Sequence, residues 1–115
     1  MTTPPDSPRP TIVCLCGSTR FLEAFDAASL AETLSGNIVL SIGSHRTPDA
    51  AALAHLPEAE RELALIRLAR LHAHKIELAD EVLVIDVGGY IGESTRREIE
   101  YARSGGKPVR YWQDP

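Results

Sequence analysis

The chain has 115 residues, 43% of them hydrophobic and 24% charged, which suits one small globular domain with a real core and leaves no room for a second. Its net charge of −4 excludes a nucleic-acid binder that relies on a broad basic surface. No apolar run approaches the roughly 18 residues of a membrane span, and no apolar signal region opens the chain, so no membrane partner and a cytoplasmic location are expected.

Residues 2–10 carry four prolines and almost nothing apolar, the pattern of a disordered tail, which leaves 11–115 as a single α/β domain. Thr11 to Cys16 is a short continuous apolar run, as in a strand buried on both faces. Its Cys14 and Cys16 face the same side, too close along an extended chain to bridge well. No further Cys or His cluster is visible in the sequence to complete a zinc site, so the expectation is buried strand thiols, with no metal and no redox cofactor. The strand breaks at Gly17-Ser18-Thr19-Arg20, and Phe21, Ala24, Phe25, Ala28 and Ala31 then form a helical stripe with Ser18 as its N-cap. Gly36 stands where a helix-ending glycine belongs.

Asn37 to Ile42 reads as a second strand. Gly43 to Pro57 is the least regular stretch, and the sequence leaves open whether it is a mobile loop over the site or a poorly formed helix. Pro57 and an acidic first turn open a long helix from Glu58 to Ala79. Its stripe of Leu65, Leu68, Ala69, Ile76 and Ala79 includes His72, which reads more readily as a satisfied core residue than as a ligand.

Glu81 to Val87 is the third strand, and a glycine-rich bend with Gly88, Gly89 and Gly92 follows it. The next helix begins near Ser94 and Thr95, whose hydroxyls lie beside the unpaired N–H groups of a helix start. Glu98 falls on the inward face set by Thr95, Ile99 and Ala102. Thr95-x-x-Glu98 is also a capping box, and that ordinary reading stands beside the functional one. Lys107 to Trp112 is a fourth strand, with Pro108 and Arg110 suited to an edge.

Four strands alternating with three helices imply a parallel sheet with helices on both faces, a three-layer Rossmann-like (flavodoxin-like) sandwich. Ligands of such sheets collect beyond the strands' carboxyl ends where strand order reverses. The loops after the first and third strands should therefore share a pocket holding Ser18, Thr19, Arg20, Ser94, Thr95 and Glu98. Gly17 permits close backbone approach, and Arg20 adds a planar cation suited to phosphate. Taken alone, Gly-Ser-Thr-Arg is equally an ordinary capped helix start.

Cys16-Gly17-Ser18-Thr19-Arg20 resembles the Cys-Gly-Ser-x-Arg loop of deoxynucleoside 5′-monophosphate N-glycosidases. Thr95-x-x-Glu98-Ile99-x-Tyr101-Ala102 is similar to the Gly-Thr-x-x-Glu-Ile-Gly-Tyr-Ala segment of nucleoside 2-deoxyribosyltransferases, and Ala79-Asp80-Glu81-Val82 matches their usual Ala-Asp-x-Val. The resemblance to this superfamily implies that Glu98 is the catalytic carboxylate. It places Gly17, Ser18, Thr19 and Arg20 in a phosphate loop and Gly92, Ser94 and Thr95 in a second ligand loop. It further implies a small nucleotide or nucleoside as ligand and a homodimer. Where the family carries an aspartate six residues before the glutamate this chain has Gly92, with Glu93 or Asp86 as the candidates to replace it. The activity so implied is hydrolysis of a nucleoside monophosphate's N-glycosidic bond or base exchange, with a non-catalytic nucleotide sensor as the alternative.

Overall fold

The computed structural model describes residues 9–42 and 53–112. Four strands, β1 (Ile12–Gly17), β2 (Ile38–Leu40), β3 (Glu81–Ile85) and β4 (Val109–Trp112), form one sheet in the order β2-β1-β3-β4. All three pairings are parallel. Among the described residues three α-helices connect them: α1 (Leu22–Leu34), α2 (Glu58–Leu78) and α3 (Glu93–Ser104). Alternating side chains of the central strands point to opposite faces. Val13, Leu15, Leu83 and Ile85 pack against Ala24, Phe25 and Ala28 of α1. Cys14, Cys16, Val82 and Val84 pack against Ile76 of α2 and Ile99 and Ala102 of α3. The expected three-layer α/β sandwich is what the chain forms, and no helix among the described residues is long and apolar enough to cross a membrane.

Several local expectations shift. Gly36 follows the end of α1 at φ 89°, as a helix-ending glycine should, while the second strand shrinks to three residues. Gly88 and Gly89, at φ 61° and 78°, make the bend after β3, but Gly92 sits at φ −74° and serves as the N-cap of α3. Thr95 is therefore inside the helix instead of capping it, and the capping-box reading fails because the helix begins a residue before Ser94. Residues 43–52 of the irregular stretch, and most of the proline-rich N-terminal segment, lie outside the described residues.

Helix α2 departs most from its predicted stripe. His72, Ile76 and the capping residue Ala79 are buried, but Leu65 is 45% exposed, Ala69 is also exposed, and so are Leu63, Ile66 and Leu71. The helix has 21 residues, about 32 Å at 1.5 Å per residue, against strands of at most six residues and about 20 Å. Its first half runs past the described strands, and Leu63, Leu65 and Ile66 there stay exposed among the described residues.

Asp80 ties the starts of β1 and β3 together. Its carboxylate accepts the Ile12 amide at 2.8 Å and two bonds from Arg9 at 2.7 and 2.9 Å. The Arg9 guanidinium, then the Ile12 amide, hold this carboxyl well below the usual carboxylate range. A carboxyl depressed in the folded state stabilises above its unfolded pKa, near 3.9, and that contribution fades as pH falls toward the lower native value. Asp80→Ala should thus lower the melting temperature at pH 7, with the gap to wild type narrowing below about pH 4. Melting curves across pH check this, and a gap independent of pH would refute it.

Candidate functional site

The chain leaves β1 toward β2 on one side and β3 toward β4 on the other, so the two following loops open a crevice at the carboxyl ends of adjacent strands. A cavity of about 670 Å³ lies there, within the size of a nucleotide-scale ligand site. One wall is the first loop, Gly17, Ser18 and Thr19; a second is Gly92, Glu93, Ser94 and Thr95 at the start of α3. The overhanging half of α2 supplies Leu65, Ile66, Leu68 and Leu71 as a third wall, and Glu98, His72 and Lys75 also line the space.

Ser18 caps a short 3-10 turn over Thr19–Phe21, its hydroxyl accepting the Arg20 amide at 3.3 Å and Arg20 Nε at 3.1 Å. With its lone pairs engaged, the hydroxyl keeps its proton to donate to a ligand. Arg20 does not line the cavity: its guanidinium folds back onto Ser18 and lies 4.6 Å from the Tyr90 ring centre. Phe21 meets the same ring edge-on at 5.8 Å. Tyr90, unremarked in the sequence, therefore clamps the loop after β1 to the loop after β3. Among the described residues the Lys and Arg side chains that do line the cavity are Lys75 and Arg97. Arg97 donates to Ser94 Oγ at 3.3 Å, and Lys75 holds the Ser41 carbonyl at 2.6 Å.

The N-cap of α3 is Gly92, which offers no side-chain cap, and the first turn it opens lines the cavity at Glu93, Ser94 and Thr95, where a helix start favours an anion. Thr95 is buried; Ser94 and Glu93 are exposed, with Glu93 3.9 Å from Arg97. Asp86 does not line the cavity, and its Oδ1 is buried without a hydrogen-bond partner among the described residues. Of the two acids named to replace the absent aspartate, only Glu93 reaches the space.

Glu98 lies one turn into α3, its side chain 27% exposed, and its carboxylate sits 3.7 Å from His72 Nε2. Burial raises its pKa above the ordinary glutamate value, and the neighbouring Cys14 adds to this against the opposing pull of His72. Beneath it, His72 Nε2 lies 3.1 Å from Cys16 Sγ and 3.9 Å from Cys14 Sγ. Here the sequence expectation is corrected. Both thiols are fully buried as predicted, but His72 comes from 56 and 58 residues away to join them, and the three ligand atoms lie within 4.8 Å of one another. Cys14 is pushed down to about 5 by the hydrogen bond from Cys16, and Cys16 is pushed far up by keeping that proton and by burial. For His72, burial disfavours the cation most strongly, yet Cys14 and Glu98 together raise its pKa.

The one local signal for this cluster was a histidine in line with Ile76 on a buried stripe, whose partners the sequence could not name. Arg97 and Lys75 had weaker signals still, each three residues beyond a singled-out position, Ser94 and His72. Compared with protein-family models and with curated proteins, the chain matches none.

Proposed function

We propose that the chain cleaves the N-glycosidic bond of a nucleoside 5′-monophosphate, with Glu98 as the carboxylate that meets the anomeric carbon. The observation that carries this reading is a half-buried glutamate in a cavity that also holds an uncapped helix start, a donor hydroxyl and two cations. A phosphate fits the Gly92–Thr95 end beside Arg97 and Ser18, and the apolar α2 wall suits a base. As the C–N bond breaks, its electron pair leaves with the base, and positive charge builds on the sugar carbon. Ionised Glu98 bonds to that carbon; water then adds to the carbon as the bond to Glu98 breaks, its proton passes to the nitrogen of the departed base, and the carboxylate is restored. A second base in place of water gives deoxyribosyl exchange by the same steps. The resemblance of both loops to the N-glycosidase and deoxyribosyltransferase segments supports the same reading.

The test is incubation with a panel of ribo- and deoxyribonucleoside 5′-monophosphates and the matching nucleosides, with chromatography for free base. Release from monophosphates above the no-protein control is expected, and its absence across the panel would dismiss catalysis. Arg97→Ala should raise KM for the monophosphate by about tenfold, the worth of one hydrogen bond to a charged group, and leave nucleoside KM unchanged. An equal effect on both would remove the phosphate from that end.

A second reading, a nucleotide sensor without turnover, is favoured by one observation. Apart from Glu98, the described residues lining the cavity include only Glu93 as a carboxylate, 88% exposed and turned to Arg97. Calorimetric binding without base release would select it. A homodimer belongs to the same proposal, supported by Leu63, Leu65, Ile66 and Leu71 lying exposed beside the cavity. Light scattering that returns the monomer mass would exclude it.

A further inference from the structure

The structure assigns a zinc-class cation site to Cys14 Sγ, Cys16 Sγ and His72 Nε2, with the fourth tetrahedral position left to water from the cavity side. It does not rest on the glycosidase reading. Two strand residues two apart present their sulfurs to one face, and α2 lays one imidazole nitrogen over both. A Zn²⁺ ion about 2.3 Å from sulfur and about 2.0 Å from nitrogen or oxygen holds its ligand atoms roughly 3.3–3.8 Å apart. His72 Nε2 lies 3.1 and 3.9 Å from the two sulfurs and all three donor atoms lie within 4.8 Å of one another, so the set closes on such an ion with shifts of about an ångström or less.

Donor chemistry points the same way. Two sulfurs and an imidazole select zinc over magnesium or calcium, which take oxygen. Two buried thiolates carry two negative charges, which a divalent ion neutralises. The donors are otherwise awkward to bury together, with both cysteines at 0% and His72 at 8% exposure. Access is through the cavity, since His72 and Glu98 line it while the sulfurs lie behind them. Among the described residues no other group of three such side chains offers a comparable site.

The experiment uses the full chain, reduced, with Co²⁺ as a spectroscopic stand-in and Zn²⁺ in competition with a chromophoric chelator. One equivalent of Co²⁺ should give a thiolate charge-transfer band in the near ultraviolet and the intense visible bands of a tetrahedral ion, both lost on adding one equivalent of Zn²⁺. Zinc affinity should be nanomolar or tighter. The double variant Cys14→Ser/Cys16→Ser should lose the ultraviolet band and weaken zinc on the order of 100-fold or more. His72→Asn, on the cavity side, serves if the double variant does not fold, and should weaken zinc at least tenfold. The assignment is overturned by weak octahedral cobalt spectra, by a charge-transfer band that survives loss of both cysteines, or by zinc affinity unchanged in His72→Asn. None of these readouts measures base release, so this site and the glycosidase reading fail separately.

Discussion

Glu98→Ala should reduce base release on the order of 10³-fold or more, equivalent to about 4 kcal/mol of transition-state stabilisation. The loss should fall on kcat, with nucleotide binding nearly unchanged, because in the proposed reaction the carboxylate meets the anomeric carbon and not the phosphate end. Glu98→Gln separates the charge from the shape: the amide fills the same space but cannot neutralise or bond to the developing cation, so it should be as inactive as the alanine. Stability supplies a second readout with a definite sign. Burial raises the Glu98 pKa, so the folded state holds its proton more tightly than the unfolded chain does. That contribution is present below the unfolded pKa and is lost as pH rises through the folded one, leaving the ionised form a burden at neutral pH. The melting temperature of Glu98→Gln at pH 7 should therefore equal or exceed that of wild type. A glutamine variant that still releases base at the wild-type rate would end the proposal.

Gly17→Val should destabilise the fold by about 3 kcal/mol or more, lowering the melting temperature by more than roughly 10 °C. Gly17 pairs with Ile85 across the central β1–β3 ladder, where the two site loops depart. A Cβ there would stand 2.9 Å from Ile85 Cβ, 3.0 Å from the Ile85 carbonyl and 3.2 Å from Phe25 Cζ. The first two belong to a buried central strand and cannot give way without moving the ladder. Gly92→Ala is the contrast: φ is −74° and the nearest atom is the Tyr90 hydroxyl at 3.4 Å, so it should fold with little loss. Thermal denaturation of the two variants decides the matter. Equal, small shifts would mean the strands are not held this closely.

Much of this was legible locally. Continuous apolar runs at Ile12–Cys16 and Val82–Ile85, alternating with helical stripes, dictate a parallel sheet buried on both faces. Gly88 and Gly89 bend the chain where their lack of a side chain allows. The inward position of Glu98 follows from its place between Thr95, Ile99 and Ala102, all buried. Other features were illegible for equally physical reasons. Periodicity marks the apolar side of α2 but not how far the sheet extends beneath it, so Leu65 and Ala69 were taken for core. Arg20 reads as a phosphate cation until Tyr90, seventy residues away, offers its ring face as a nearer partner.

The sequence by itself determined the order and type of the described elements and the inward position of Glu98, because these rest on neighbours within a turn or a strand. Only the tertiary structure decided which groups surround that acid. The Cys14, Cys16 and His72 cluster is made by α2 crossing the first strand, a contact between residues 56 and 58 positions apart that no local spacing encodes. Side-chain meetings at that separation are set by how layers stack and how long each element runs.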